Sequence, residues 1–369
     1  MQSVNALMQD EAIRHQEALQ RYSNSVVARI IATLNRSDRR LLTELLVLLE
    51  DMDQAGFSME RLESMLTSIR TLSIVSYEQL GRELSEELRQ FVAYELSYQA
   101  QMLVSHVPIG VHIASVSTEQ AYAAALSRPF QGVLLRDVWK DLDANKMRSV
   151  RRAIAQGFTE GKATAQIVRE LRGTRAKGYA DGLIQKDRRD VEAVVRTALG
   201  HTAAVAQNQV ELANEDVIKY ARWNSTLDSR TSAPCRLRDG KLYTPGEHKP
   251  VGHKLPWGAG PGAFHWRCRS GRTFVLKSHA ELGIDAPEIV VVGRERASMD
   301  GAVPAETTYG EWLKKQSFSR QVDVLGETRA RLLRDGGMSM GEMYSPAGKT
   351  LTLGELRARD AMAFKQLAA

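Results

Sequence analysis

The side chains best suited to chemistry are crowded into one stretch, Trp223 to Gly271. It holds both cysteines of the chain, Cys235 and Cys268, and three of its eight histidines, His248, His253 and His265. His265-Trp266-Arg267-Cys268 sets two metal-type ligands three residues apart. Structural zinc takes four N or S ligands, usually as two such close pairs. Here Cys235 is solitary, and Ser232 stands where its Cys-x-x-Cys partner would be. His253 or His248 could complete a set with Cys235, His265 and Cys268, but neither has a spacing that demands it. Two buried thiols in contact, or a disulfide between them, fit the pattern better than zinc.

Other chemistry is weaker still. A cysteine nucleophile with His265 as base lacks a third group to orient the imidazole. A metal-dependent hydrolase built on His253, His265 and Cys268 lacks a ligand set. Ala347-Gly348-Lys349-Thr350 resembles the end of a phosphate-binding loop, but Met343 stands at its first glycine. No residue is assigned a catalytic role, and the chain is expected not to be an enzyme.

The same stretch carries five of the ten prolines and turn formers such as Asp228-Ser229 and Asp239-Gly240. It reads as a small α+β module, with a strand entering at Val217–Trp223 and an Asp-Gly hairpin turn before Leu242-Tyr243. Around it the chain is mainly α. Leu19, Tyr22, Val26, Ile30 and Leu34 make one helical stripe. Asn35–Asp38 reads as a turn before a second stripe beginning at Leu41. Gly56-Phe57-Ser58 breaks that helix, and Ser58 can cap a third. A fourth runs from about Tyr77 to Val104. Further helices are expected after Ser117, over Val138–Ile154 and over Lys186–Asn214. A strand is expected at Glu288–Val292, and a last helical section gathers Tyr309, Trp312, Leu313, Leu325, Leu332 and Leu333. This gives four segments: helical 1–105, basic helical 106–216, the α+β module 217–295 and helical 296–369.

Charge is polarised. The net charge is +6, yet 136–196 alone carries +6 and 230–272 carries +7, leaving −7 for the remainder. A basic middle suits contact with a polyanion, and the acidic ends suit contact with protein. The candidate DNA contacts are Arg148, Arg151, Arg152, Arg172, Arg175, Lys177, Arg188 and Arg189. No apolar run approaches the roughly 18 residues of a membrane span. The first residues show no charged-then-apolar leader, so synthesis and retention in a cytosol, or in something assembled there, are expected.

The module's pattern is W-x-STLD-x-RTS-x-x-C-x-x-RDGK-x-Y, followed by H-x-x-CRS. Its positions are Trp223, Asp228, Arg230, Thr231, Cys235, Asp239, Gly240, His265, Cys268, Arg269 and Ser270. This resembles the signature of the phage head morphogenesis family, minor capsid proteins similar to protein F of phage Mu. The preceding RRDVEAVVRTALGHTAAVAQNQ and the later RASMDGAVPAETTYGEWLKKQ, LGETRARLLRDGG and LTLGELR are similar to members as well. The resemblance covers roughly residues 100 to 369. Many members have cysteine where Ser232 and Ser270 stand here, so the resemblance implies a structural module rather than a filled metal site. It further implies a low-copy minor head protein of a tailed phage, present in several copies at the portal vertex or head interior and acting in procapsid assembly. The implied partners are the portal protein, the major capsid or scaffolding protein, and duplex DNA bound without sequence preference. Assembly would take place in the host cytoplasm. The alternative is a DNA-binding packaging or ejection protein delivered with the genome.

Overall fold

The computed structural model describes residues 2–108, 110–129, 131–287, 290–291 and 295–367. Strand β1 (Gln2–Ser3) leads into α1 (Val4–Ala55), one uninterrupted helix of 52 residues. The turn expected at Asn35–Asp38 does not form. Asp38 does not bend back to cap a helix; its carboxylate accepts from Lys146 Nζ at 2.6 Å in the interior. Lys146 also lies 3.2 Å from Asp187, to which the Tyr77 hydroxyl donates. A buried cation offered from another helix outcompetes a local cap.

Gly56, at φ +82°, ends the turn after α1, and Ser58 Oγ accepts from Arg61 N at 3.2 Å to start α2 (Met59–His106). The expected third and fourth helices are therefore one. Tyr22 meets Glu87, and His15 Nε2 lies 2.7 Å from Glu95, so α1 and α2 pair as a long antiparallel hairpin. Ser117 caps α3 (Thr118–Ser127), and α4 (Leu135–Thr159), α5 (Thr164–Arg172) and α6 (Leu183–Ala213) follow. Gly157 lies inside α4 because a Cβ there would come within 2.5 Å of Ile167 on α5. The apolar stripes of α1, α2, α4 and α6 meet in one cluster around Leu34, Leu80, Trp139 and Val195.

The module is a four-stranded antiparallel sheet in the order β4-β3-β2-β5. Its strands are β2 (Ile218–Asn224), β3 (Leu242–Tyr243), β4 (Pro250–Val251) and β5 (Gly271–Leu276), with the short helix α7 (Ala233–Arg238) between β2 and β3. The Asp-Gly turn thus follows a helix rather than joining two strands. Asp239 has φ −55° and Gly240 φ +76°, which is type II geometry and not the double-positive hairpin turn. Strand β5 carried no recognisable alternation because all six of its residues are buried.

Its free edge is closed by α1. The Asn5 amide accepts from Leu276 N at 2.7 Å and donates to Leu276 O at 3.3 Å, as a neighbouring strand would. Of the strand expected at Glu288–Val292, β6 (Val290–Val291) pairs with β1, and the rest lies outside the described residues. A hairpin of β7 (Glu295–Ser298) and β8 (Gly301–Pro304) occupies the start of the segment 296–369 that was expected to be helical. The C-terminal helices are α8 (Tyr309–Lys314), α9 (Phe318–Leu325), α10 (Glu327–Arg334), α11 (Leu353–Arg359) and α12 (Ala361–Gln366). They bury the expected Tyr309, Trp312, Leu313, Leu325, Leu332 and Leu333. The chain is mainly α with a small α+β module, as its pattern indicated. No described helix is long and apolar enough to cross a membrane.

Candidate functional site

Alternation in β2 drives Trp223 fully into the module. Its indole meets Trp257 and Phe264 edge-on, with centroids 5.4 and 5.6 Å away. Against this aromatic floor α7 presents Cys235, and the turn before β5 presents Cys268. Both thiols are free and buried, with sulfurs 3.8 Å apart. Arg267, at φ +58°, turns the chain so that His265 and Cys268 both face Cys235. His265 Nε2 lies 3.4 Å from Cys235 Sγ and 2.8 Å from Ser232 Oγ, while Nδ1 contacts Trp266 O at 2.8 Å.

The ligand atoms of Cys235, His265 and Cys268 all lie within 4.8 Å of one another. A sulfur separation of 3.8 Å is far beyond a disulfide bond of about 2.05 Å. It is close to the edge of a zinc tetrahedron with Zn–S of about 2.3 Å, and equally a thiol packing contact. Zinc's fourth ligand is the difficulty. Ser232 and Ser270 stand beside the trio, and a neutral hydroxyl is not among zinc's ordinary protein ligands. His253 is elsewhere, held to Leu242 O at 2.9 Å, and His248 stacks on Trp257 at 4.3 Å. The hydrogen bond between the sulfurs, helped by His265, holds the Cys268 thiol well below its ordinary value. The same bond, together with burial, pushes Cys235 up. Contact with Cys268 raises His265. Of the two thiols, Cys268 is therefore the one that gives up its proton first, and Cys235 the one that keeps it.

Most of the signature holds shape. Arg269 forks onto Asp228 at 2.5 and 2.8 Å, and Thr231 Oγ1 donates to Thr226 O at 2.6 Å. Asp239 accepts from Ser225 N, Tyr309 N and Arg296. Arg230 is the exception. Its Nε lies 3.7 Å from Asp228, but the side chain is 82% exposed and lines a 570 Å³ cleft with Arg196, Arg267, Arg269 and Trp266, between α1, α6 and the module.

Sequence reading missed Arg296, Glu211 and Arg272. Buried Glu211 accepts from Arg272 at 2.7 Å and lies 3.0 Å from His248, fixing the β3–β4 loop to α6. No local pattern marks such residues, because each partner is distant in sequence.

The basic candidates separate. Arg151 pairs with Glu63 at 2.5 Å, and half-buried Arg188 lies 3.9 Å from Asp38. Arg148, Arg152, Arg172, Arg175, Lys177 and Arg189 remain on the surface.

Residues 148–272, about a third of the chain, match the family described as Phage Mu protein F like protein. No curated protein and no solved structure matches the chain. The matched stretch runs from the middle of α4 through α6 into β5, so it contains the thiol–imidazole trio and the basic surface. The resemblance to the head morphogenesis family is borne out over those residues.

Proposed function

We propose that this chain, similar to phage Mu F-like proteins over residues 148–272, is a phage head morphogenesis protein. In this reading it is a minor head component in few copies, joining the procapsid at the portal vertex and lying against packaged DNA. The family match carries the reading. The use of the signature residues supports it, since Asp228, Thr231, Asp239 and Arg269 are bound into ion pairs and turns within the fold. Such residues build a rigid part rather than a reaction centre. The protein therefore acts by contact with other head components, and the thiol–imidazole trio serves to lock the module.

The test is its whereabouts. Mass spectrometry of washed procapsids and virions should find the full chain in both at a few copies, and portal protein should co-purify with it. Absence from both particles would sink the reading. A second reading, a packaging or ejection protein, is favoured by the exposed cations of α4 to α6. Retention in the full head, with loss after DNA release, would single it out.

A further inference from the structure

We infer that the loop between α5 and α6, residues 173–182, is a preformed grip for the phosphate backbone of duplex DNA. This deepens the reading that the chain lies against DNA, and rests on it.

The loop is closed at its neck. A Cβ at Gly182 would come within 2.4 Å of Arg172 O, and one at Gly173 within 2.7 Å of Gly182 N. Only glycines let the two backbones pass so closely, and Gly173 also needs φ +90°. Asp181 then ties the neck, accepting from Thr174 N at 2.8 Å and from Thr174 Oγ1 at 2.9 Å. Turn bonds from Tyr179 N to Thr174 O at 2.8 Å and from Gly178 N to Arg175 O at 3.0 Å fix the tip.

Everything from Arg175 to Asp181 is exposed, although the segment is ordered by its own bonds. Arg175 and Lys177 project from it, and Arg172 lies over the Tyr179 ring at 5.8 Å. Exposed Arg169, Lys186 and Arg189 flank it on the two helices. The nearby acids offset only part of this charge: Glu170 holds Lys162 at 2.6 Å, and Asp181, tied to Thr174 in the neck, also lies 3.9 Å from Lys177, leaving three cations against one carboxylate over residues 172–182.

An acidic protein surface would also attract cations. Protein interfaces, however, centre on a buried apolar patch with the charges at the rim. Among the described residues from Leu135 to Glu211, Tyr179 is the sole exposed large hydrophobic side chain. Cations without an apolar centre suit phosphates, which contribute to binding charge by charge and without sequence preference. Pinning the loop in advance removes the ordering cost of binding.

The experiment titrates full-length protein with a labelled random-sequence duplex at several salt concentrations. The variant Arg172→Gln/Arg175→Gln/Lys177→Gln removes three charges and should lower the slope of log K against log salt by about 2.7, an affinity loss on the order of 10²-fold at 0.1 M salt. Thr174→Val keeps the charge, loosens the neck, and should weaken binding several-fold with the slope unchanged. Arg21→Gln/Arg39→Gln/Arg40→Gln, an equal loss of exposed charge on α1, should change the slope far less. Thermal melts confirm that each variant is folded. Equal slopes for the loop variant and the wild type, or equal losses for both triple variants, overturn the loop assignment while leaving DNA contact standing. No binding by the wild type overturns both. Loss of polyglutamate binding with DNA binding intact would assign the loop to an acidic protein and also overturn the proposal.

Discussion

Arg296 lies bidentate on Asp239, with nitrogen–oxygen distances of 2.8 and 3.0 Å and both side chains almost completely buried. The pair joins the α+β module to the C-terminal helices, because Asp239 also accepts from Tyr309 N at 2.7 Å and Arg296 donates to Thr307 O at the same distance. The Asp of an Asp-Gly turn, ordinarily a surface residue, here anchors two parts of the chain.

Asp239→Asn would leave the buried Arg296 charge without its counterion. Removing one partner of such a pair costs about 3–5 kcal/mol. Chemical denaturation should show a loss of that order. A loss below about 1 kcal/mol would mean that water reaches the guanidinium and the pair is not a hub.

Acidification should weaken the fold through Glu211 and Asp228. Burial would raise both carboxyls, but Arg272 and His248 hold Glu211 below its ordinary value, and Arg269 does the same for Asp228. With folded values depressed, their stabilisation is complete above the unfolded carboxylate range of about 4 and is lost as pH falls through the folded values. Asp38 has the opposite sign. Burial, partly offset by Lys146, raises it, so its contribution is full below the unfolded value and lost as pH rises through the folded one. The melting temperature should therefore fall between about pH 5 and 3, and Glu211→Gln should flatten that fall. A variant melting curve as steep as that of the wild type would remove Glu211 from the account.

The thiols should be protected and the metal content low. Cys235 and Cys268 are 1% and 8% exposed, so a thiol reagent should modify two cysteines quickly in denaturant and slowly in the native protein. Elemental analysis should find far less than one zinc per chain, with melting unchanged by a chelator. One zinc per chain with chelator-sensitive melting would instead make the trio a metal site completed from outside the His/Cys set.

Deleting residues 1–105 should unfold the rest. Asn5 closes the edge of β5, Gln16 donates to Arg269 O at 2.9 Å, and Leu34 and Leu80 share a core with Val195. Far-ultraviolet circular dichroism of the truncated chain should lose helix beyond the deleted share, with no cooperative melt. A sharp transition at the parent temperature would show that 106–369 folds alone.

What the sequence determined by itself was short-range. Apolar periodicity placed α3, α4 and α6, Ser58 and Ser117 marked helix starts, and the Trp223–Ser270 spacing identified the family that residues 148–272 match. Caps and periodicity act within a turn or two of the chain, so they can be read from a window of residues. The tertiary structure decided whatever depended on partners far away. Lys146, 108 residues from Asp38, turned an expected capped turn into the middle of one helix. The Cys235–Cys268 contact spans 33 residues and the Arg296–Asp239 pair 57. Strand β5 was hidden because burial on both faces erases alternation. A charge or thiol has the same letter whether it is buried or exposed. Only the packing chose which cations would hold the fold together and which would remain exposed on the loop at 173–182.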